Sequence, residues 1–104
     1  MATGIWVHSQ YNDTKNRPYN NSIHEETIRV DDVVQMIGEA FASLPKSVQE
    51  AEVSQRGLAS LRDRIYRLRG VSATGNGFGR NWMSAQMSDD WHIDVELSGT
   101  VQFI

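Results

Sequence analysis

The glycine-rich segment TGNGFGRN, at residues 74–81, is the stretch of this sequence best suited to binding an anion. Its glycines leave backbone N–H groups without side-chain cover, and such groups can surround a phosphate, with Arg80 as the charge partner. Phe78 or Trp82 can stack on a base. The segment lacks the GxxxxGK[ST] pattern of a P-loop, and it follows a helix instead of preceding one. A flexible connector or an asparagine–glycine hairpin turn is the alternative interpretation.

Arginines are concentrated next to this segment. Six of the ten Lys and Arg residues fall between positions 56 and 80. Arg62 and Arg69 are one heptad apart and can converge with Arg80, and arginine is the usual residue for bidentate phosphate contacts. The alternative is a solvated helix face with an i,i+4 pair of Asp63 and Arg67. The predicted ligand-binding residues are Arg62, Arg69, Gly75, Asn76, Gly77, Phe78, Arg80 and Trp82.

Histidine and carboxylates form a second candidate group. His92, Asp94 and Glu96 alternate along one predicted strand and therefore share a face, while His8 shares a face with Trp6. If the two strands joined one sheet, a metal site or an acid–base pair could assemble. No two histidines have ligand spacing within one element, so the polar outside of a one-sided sheet is the preferred interpretation. Without cysteine or a nucleophile-elbow pattern, we expect no cofactor, no metal and no hydrolase activity.

The tryptophans divide into two classes. Trp91 alternates with core residues, whereas Trp6 and Trp82 lie on the polar sides of their predicted strands. An aromatic side chain on a polar sheet face is typical of an interface. Lateral packing across the sheet, or cover from the long N-terminal loop, is the alternative for both residues.

The longest amphipathic pattern predicts a helix that leads into the glycine-rich segment. It covers residues 47–69, with acidic residues early and arginines late, as the helix dipole favours. Gly70 stands where a left-handed C-cap is expected. The predicted buried stripe comprises Val48, Ala51, Gln55, Leu58, Leu61, Ile65 and Leu68.

A second amphipathic pattern predicts an earlier helix. Asp31 or Asp32 is a suitable N-cap, and the helix runs to about Ser43. Its stripe comprises Val33, Val34, Ile37, Ala40, Phe41 and Leu44. The Leu44-Pro45-Lys46 link is short, which favours an antiparallel helical hairpin.

Period-two alternation predicts the strands. Gly4–Tyr11 is a strand, residues 12–22 are a polar loop, and residues 27–30 are a short second strand. Three further strands at residues 82–87, 91–97 and 101–104 form a meander. Directly opposed residues share a face, and this parity predicts three-residue loops at residues 88–90 and 98–100. The predicted fold is a single α+β domain over residues 1–104, with the two-helix hairpin packed on an antiparallel sheet made of the C-terminal meander and the N-terminal strand.

Composition narrows the function. The 104 residues carry a net charge of −3, contain no cysteine and show no signal pattern or membrane-length apolar run. We therefore expect a cytoplasmic protein without membrane or double-stranded DNA partners. The leading hypothesis is a non-enzymatic small binding protein that captures or senses a phosphorylated, nucleotide-like ligand. The alternative is a protein–protein inhibitor, adaptor or structural subunit, of phage or mobile-element origin, and an enzyme that uses His92 ranks last. The apolar C-terminal strand TVQFI, taken as a sheet edge, predicts a homo-oligomer.

Overall fold

A computed structural model describes residues 3–12, 18–75 and 81–104. It is a mixed α+β structure, in which helices pack on a curled, mostly antiparallel six-strand sheet. The elements in chain order are β1 (Gly4–Tyr11), β2 (Tyr19–Ile23), β3 (Thr27–Ile28), α1 (Val30–Ala42), α2 (Lys46–Gln49), α3 (Glu52–Tyr66), β4 (Ser72–Gly75), β5 (Asn81–Gln86) and β6 (Trp91–Phe103).

The long strand β6 is the centre of the sheet. On one side it pairs with β1 in antiparallel fashion and, further along, with β3 in parallel. On the other side it pairs antiparallel with β5 and then with β4. β2 adds to the outer side of β1. The N-terminal strand therefore joins the sheet as predicted, and β2 occupies part of the predicted 12–22 loop.

The last turn of the predicted meander is wrong. Residues 98–100 lie inside β6, where β4 and β1 supply their pairing partners. Gly99 has a φ of 67°, and a Cβ there would lie 2.5 Å from Thr3 Oγ1, so the close approach of another chain segment requires glycine. The other predicted loop is confirmed, because Ala85 lies opposite Ile93 and Met87 N–H donates to the Trp91 carbonyl.

The predicted second helix is divided in two. Ala51 has an extended backbone (φ −67°, ψ 140°), which separates α2 from α3. The Gln49 side chain donates to the carbonyls of Ala42 and Leu44, so it ties α2 to the end of α1. α1 and α3 pack against each other, but the short helix α2 lies between them in the chain, so the predicted two-helix hairpin is not confirmed. α1 begins two or three residues before the prediction, because its N-cap is Arg29 and not Asp31 or Asp32, and the Arg29 side chain makes no capping bond.

The core lies between the helices and the inner face of the sheet. In α3 the predicted stripe is correct at Leu58, Leu61 and Ile65, which are buried, but Gln55 is exposed and Ser54 is buried in its place. The Ser54 hydroxyl donates to the carbonyl of Met87, which therefore keeps a partner after β5 ends. Core residues are Ile5, Val7, Ile28, Val30, Val33, Met36, Ile37, Ala40, Leu44, Leu58, Leu61, Ile65, Ala85, Met87, Ile93, Val95, Leu97, Val101 and Phe103.

Helix α3 also covers the outer edge of β5. The Cβ position of Gly57 is 3.0 Å from the carbonyl oxygen of Gln86, and Arg64 Nη2 lies 3.4 Å from the carbonyl oxygen of Ser84. Covering an edge strand in this way blocks pairing with other chains. The predicted TVQFI edge is wrong for a different reason, because these residues end the central strand and Val101 and Phe103 are fully buried.

Candidate functional site

An apolar groove of about 330 Å³ lies beside Trp82. Trp82, one of its lining residues, is 60% exposed, which is the largest exposure of any large hydrophobic residue in the described part of the chain. The groove reaches core residues of the sheet, and its described lining consists of Ile5, Leu68, Ala73, Trp82, Met83, Val95, Leu97 and Phe103. A groove of this size with an apolar lining can hold a ring or an apolar side chain.

The position of this groove follows from the way β4 and β5 lie end to end along β6. Gly75 lies opposite Gly99, and Asn81 lies opposite Leu97, so the facing ends of the two strands meet positions only two residues apart on β6. Ala73 of β4 and Trp82 of β5 both line the groove. The glycine-rich segment joins these two strand ends and therefore begins and ends beside the groove.

Most of the predicted anion-binding segment lies outside the described residues. Asn76, Gly77, Phe78 and Arg80 belong to this part, and their predicted roles stay predictions. Gly75 is the last residue of β4. The pairing of β4 and β5 with β6 thus determines where the segment begins and ends, but not where its phosphate-binding groups lie.

Two of the predicted arginines, Arg62 of α3 and Arg69 in the turn that follows this helix, lie beside α1. Arg69 Nη2 donates to Asp31 Oδ1 at 3.0 Å, at the start of α1, and both side chains are about half exposed. Arg62 Nη2 lies 3.9 Å from the Cβ position of Gly38 in the same helix. Neither arginine is among the described lining residues of the Trp82 groove. The predicted pair of Asp63 and Arg67 is confirmed, with 2.7 Å between the charged atoms.

A buried histidine lies on the other face of the sheet. His8 is 1% exposed, and its Nε2 is 2.7 Å from Glu96 Oε1. Its Nδ1 is 3.8 Å from Asp94 Oδ2 and has no hydrogen-bond partner among the residues that the structure describes. The Ser84 hydroxyl donates to Asp94 Oδ1 at 2.6 Å. Ser84, Asp94 and His8 are directly opposed on three neighbouring strands, which explains how residues far apart in sequence form one network.

This network does not have the geometry of a nucleophilic site. Asp94 lies between Ser84 and His8, so the histidine does not contact the hydroxyl that it would have to deprotonate. His92, the base of the enzyme hypothesis, lies opposite Gln10 and Gln86 instead of beside His8. Within residues 3–12, 18–75 and 81–104, no group of three His, Cys, Asp or Glu side chains is arranged to hold a metal.

Lateral packing accounts for two of the three tryptophans. Trp6 meets His24 edge-on, with ring centroids 4.9 Å apart, and His24 Nε2 is 2.9 Å from the Ser22 hydroxyl. Trp91 meets Tyr11 with centroids 5.2 Å apart. Trp82 is thus the tryptophan whose ring stays accessible to a ligand or partner.

The comparisons with known proteins add no family to these observations. No protein-family model, curated protein or solved structure matches this chain. In the part of the chain that the structure describes, no helix has both the length and the apolar character needed to cross a bilayer.

Proposed function

We propose that this chain is a non-enzymatic small binding protein that captures or senses a phosphorylated, nucleotide-like ligand at the Trp82 groove. The observation that carries the proposal is Trp82, a 60% exposed residue that is among the described lining of a 330 Å³ groove. Small-molecule pockets are mostly apolar and aromatic, with a few polar groups that fix orientation, and their volumes begin at roughly 300 Å³. In this proposal the ring of the ligand stacks on Trp82, since stacking needs only an accessible π-face.

The phosphate is assigned to the glycine-rich segment. This segment, residues 74–81, runs from the end of β4 to the start of β5, and both strands border the groove. A phosphate held by its amides and by Arg80 would therefore lie within reach of a ring stacked on Trp82. Arg69 contributes less in this proposal than the sequence suggested, because Asp31 already neutralises part of its charge.

The proposal assigns no reaction to the chain. His8 is buried, its Nε2 donates to the Glu96 carboxylate, and Asp94 separates it from the Ser84 hydroxyl. A catalytic base must instead be within hydrogen-bond reach of the proton that it removes from a substrate. We propose binding without chemistry, and we also propose a cytoplasmic location, which the lack of cysteine favours.

A thermal-shift screen tests the proposal. Mononucleotides, dinucleotides and cyclic oligonucleotides are the compounds to screen, and a true ligand should raise the melting temperature, since binding only the folded state adds about 2.7 kcal/mol at a hundredfold excess over Kd. Trp82→Ala and Arg80→Ala should each remove the shift. Tyr66→Ala is the matched control, because Tyr66 is a 47% exposed aromatic residue on α3 outside the groove lining.

Two results would reject the ligand proposal. One is a screen in which no compound changes the melting temperature. The other is a shift that survives in both Trp82→Ala and Arg80→Ala while circular dichroism shows both variants folded. If the Arg69→Ala variant keeps the shift in melting temperature, Arg69 takes no part in binding.

The apolar lining favours a second candidate, a protein–protein inhibitor, adaptor or structural subunit. Val71 and Ile104 are also exposed, and Phe103 N–H donates to the Val71 carbonyl at 3.0 Å, which places these two apolar side chains on adjoining segments. Small size without an enzymatic motif agrees with this candidate and with a phage or mobile-element origin. If Trp82→Ala and Val71→Asp baits both lose a protein that the unmodified chain captures in its native host, this candidate replaces the ligand proposal.

A further inference from the structure

A second groove lies between the sheet and α1, on the side of the molecule where β2 forms the sheet edge. Its volume is about 340 Å³. Asn21 and Ile23 of β2 line one wall, because these residues lie opposite Val7 and Ile5 and share their helix-facing side of the sheet. The other wall is α1, and the full described lining is Asn21, Ile23, Glu25, Thr27, Ile28, Arg29, Asp32, Gln35, Met36 and Glu39.

The outer edge of β2 is open in the part of the chain that the structure describes. β2 pairs with β1 and with no other described strand. The backbone N–H of Ser22 donates to the Asn21 side chain at 2.9 Å, so it is not used by β1 and points to the outer edge. The Asn21 side-chain oxygen is a weaker acceptor for this N–H than the backbone carbonyl of a paired strand would be. An added strand can therefore replace it.

The rim of this groove is acidic. Glu25, Asp32 and Glu39 all belong to its lining, against Arg29 as the one base among the described lining residues. The Glu39 carboxylate already accepts hydrogen bonds from Tyr19 and Gln35, so part of its hydrogen-bonding capacity is used within the chain. Both Glu25 and Asp32 are exposed at the rim. Beneath them the floor is apolar, formed by Ile23, Ile28 and Met36.

We propose that this groove, which we call the β2–α1 groove, binds an extended basic segment of another protein by strand addition to β2. Backbone bonds to the β2 edge would supply affinity, as in other sheet-edge complexes. Alternate side chains of the added strand would point under α1, where apolar residues meet the floor and Lys or Arg residues meet the rim. The excess of carboxylates over guanidinium selects the basic partner.

A second copy of this chain does not fit the same edge. Pairing of two β2 strands would bring two acidic rims together and add repulsion between like charges. The β2 sequence YNNSI itself carries no base that could neutralise either rim. Charge complementarity therefore favours a foreign, basic segment over self-association at this surface.

Synthetic peptides test the strand-addition proposal. The probe is a short, capped peptide in which lysine and valine alternate on one face and threonine fills the other. Its binding is measured by NMR titration of the intact chain at low salt. We expect chemical-shift changes in β2 and α1, with affinity that falls as salt rises. A probe with alternate N-methylated amides has the same charge but cannot complete a strand ladder, and it should not bind.

Two charge-reversal variants locate the interaction. Asp32→Arg reverses a rim charge and should weaken the lysine probe roughly tenfold. Asp89→Arg makes the same change in net charge at an exposed position in the β5–β6 turn and should leave binding unchanged. Failure of the lysine probe to bind, equal binding of the N-methylated probe, or equal weakening by both variants would each overturn the proposal. A dimer of the free chain that uses the β2 edge would overturn it too, because a second copy would then be the occupant.

Discussion

Replacing Leu61 by alanine tests the packing of α3 most directly. Leu61 is fully buried at the middle of the stripe that also contains Leu58 and Ile65. The lost transfer free energy of about three carbon groups at ~0.8 kcal/mol each, plus a cavity term, gives a destabilisation of roughly 3–4 kcal/mol. Domains of this class have total stabilities of about 5–15 kcal/mol, so this is a large fraction.

Thermal unfolding followed by circular dichroism measures this effect. For a chain of about this size, each kcal/mol moves the melting temperature by ~4–8 °C, so Leu61→Ala should lower it by roughly 12–30 °C. Val53→Ala is the matched control, because Val53 lies on the same helix but is 42% exposed. It should change stability by less than about 0.5 kcal/mol, as most surface substitutions do. A loss that small for Leu61→Ala would mean that the helix register is incorrect.

Three other predictions concern a titration, two glycines and the assembly. Burial, and then the neighbouring Glu39, raise the pKa of Tyr19 above the usual value of about 10. Absorbance titration should show one tyrosine that ionises at higher pH than the others, and Tyr19→Phe should remove it. The stability that this group contributes is present below pH ~10 and is lost as pH rises through the folded pKa. Gly99→Ala should destabilise more than Gly70→Ala in urea melts, although both glycines have positive φ. The Gly99 Cβ would collide with Thr3, whereas the Gly70 Cβ would meet no atom of the described residues within 4 Å. Equal losses would argue against that collision. Homo-oligomerisation stays a prediction, although the edge strand on which it was based is not an edge. Weak interfaces should form at tens of micromolar. Sedimentation that shows only an 11.8 kDa monomer at this concentration would contradict the prediction.

Local patterns alone determined several elements of this protein. β1 has the predicted bounds, Gly4–Tyr11, and α1 begins within three residues of its predicted start, because period-two and period-3.6 patterns report directly which face is buried. Parity also fixed the register of the β5–β6 hairpin, since a slip of one residue would turn Ala85 away from the core. These features depend on neighbours that lie within a few residues of one another.

The candidate site depended more on tertiary structure. Sequence spacing made Trp82 a ligand candidate, but its groove exists only because β4 and β5 meet end to end on β6. Sequence spacing also grouped Arg69 with the glycine-rich segment, whereas the folded chain pairs it with Asp31. The partner of a surface charge is set by which helices pack together, and that information is not local.

Tertiary structure also decided where β6 ends. Ser98, Gly99 and Thr100 resemble a turn, yet the strand continues through them because β1 and β4 supply partners on both sides. The same principle places Ser54, not Gln55, in the core, since the free carbonyl of Met87 needs a donor there. Sequence pattern determined which segments are amphipathic, whereas the pairing of backbone and charged groups was decided by elements distant in sequence, because buried polar groups must find partners wherever the fold places them.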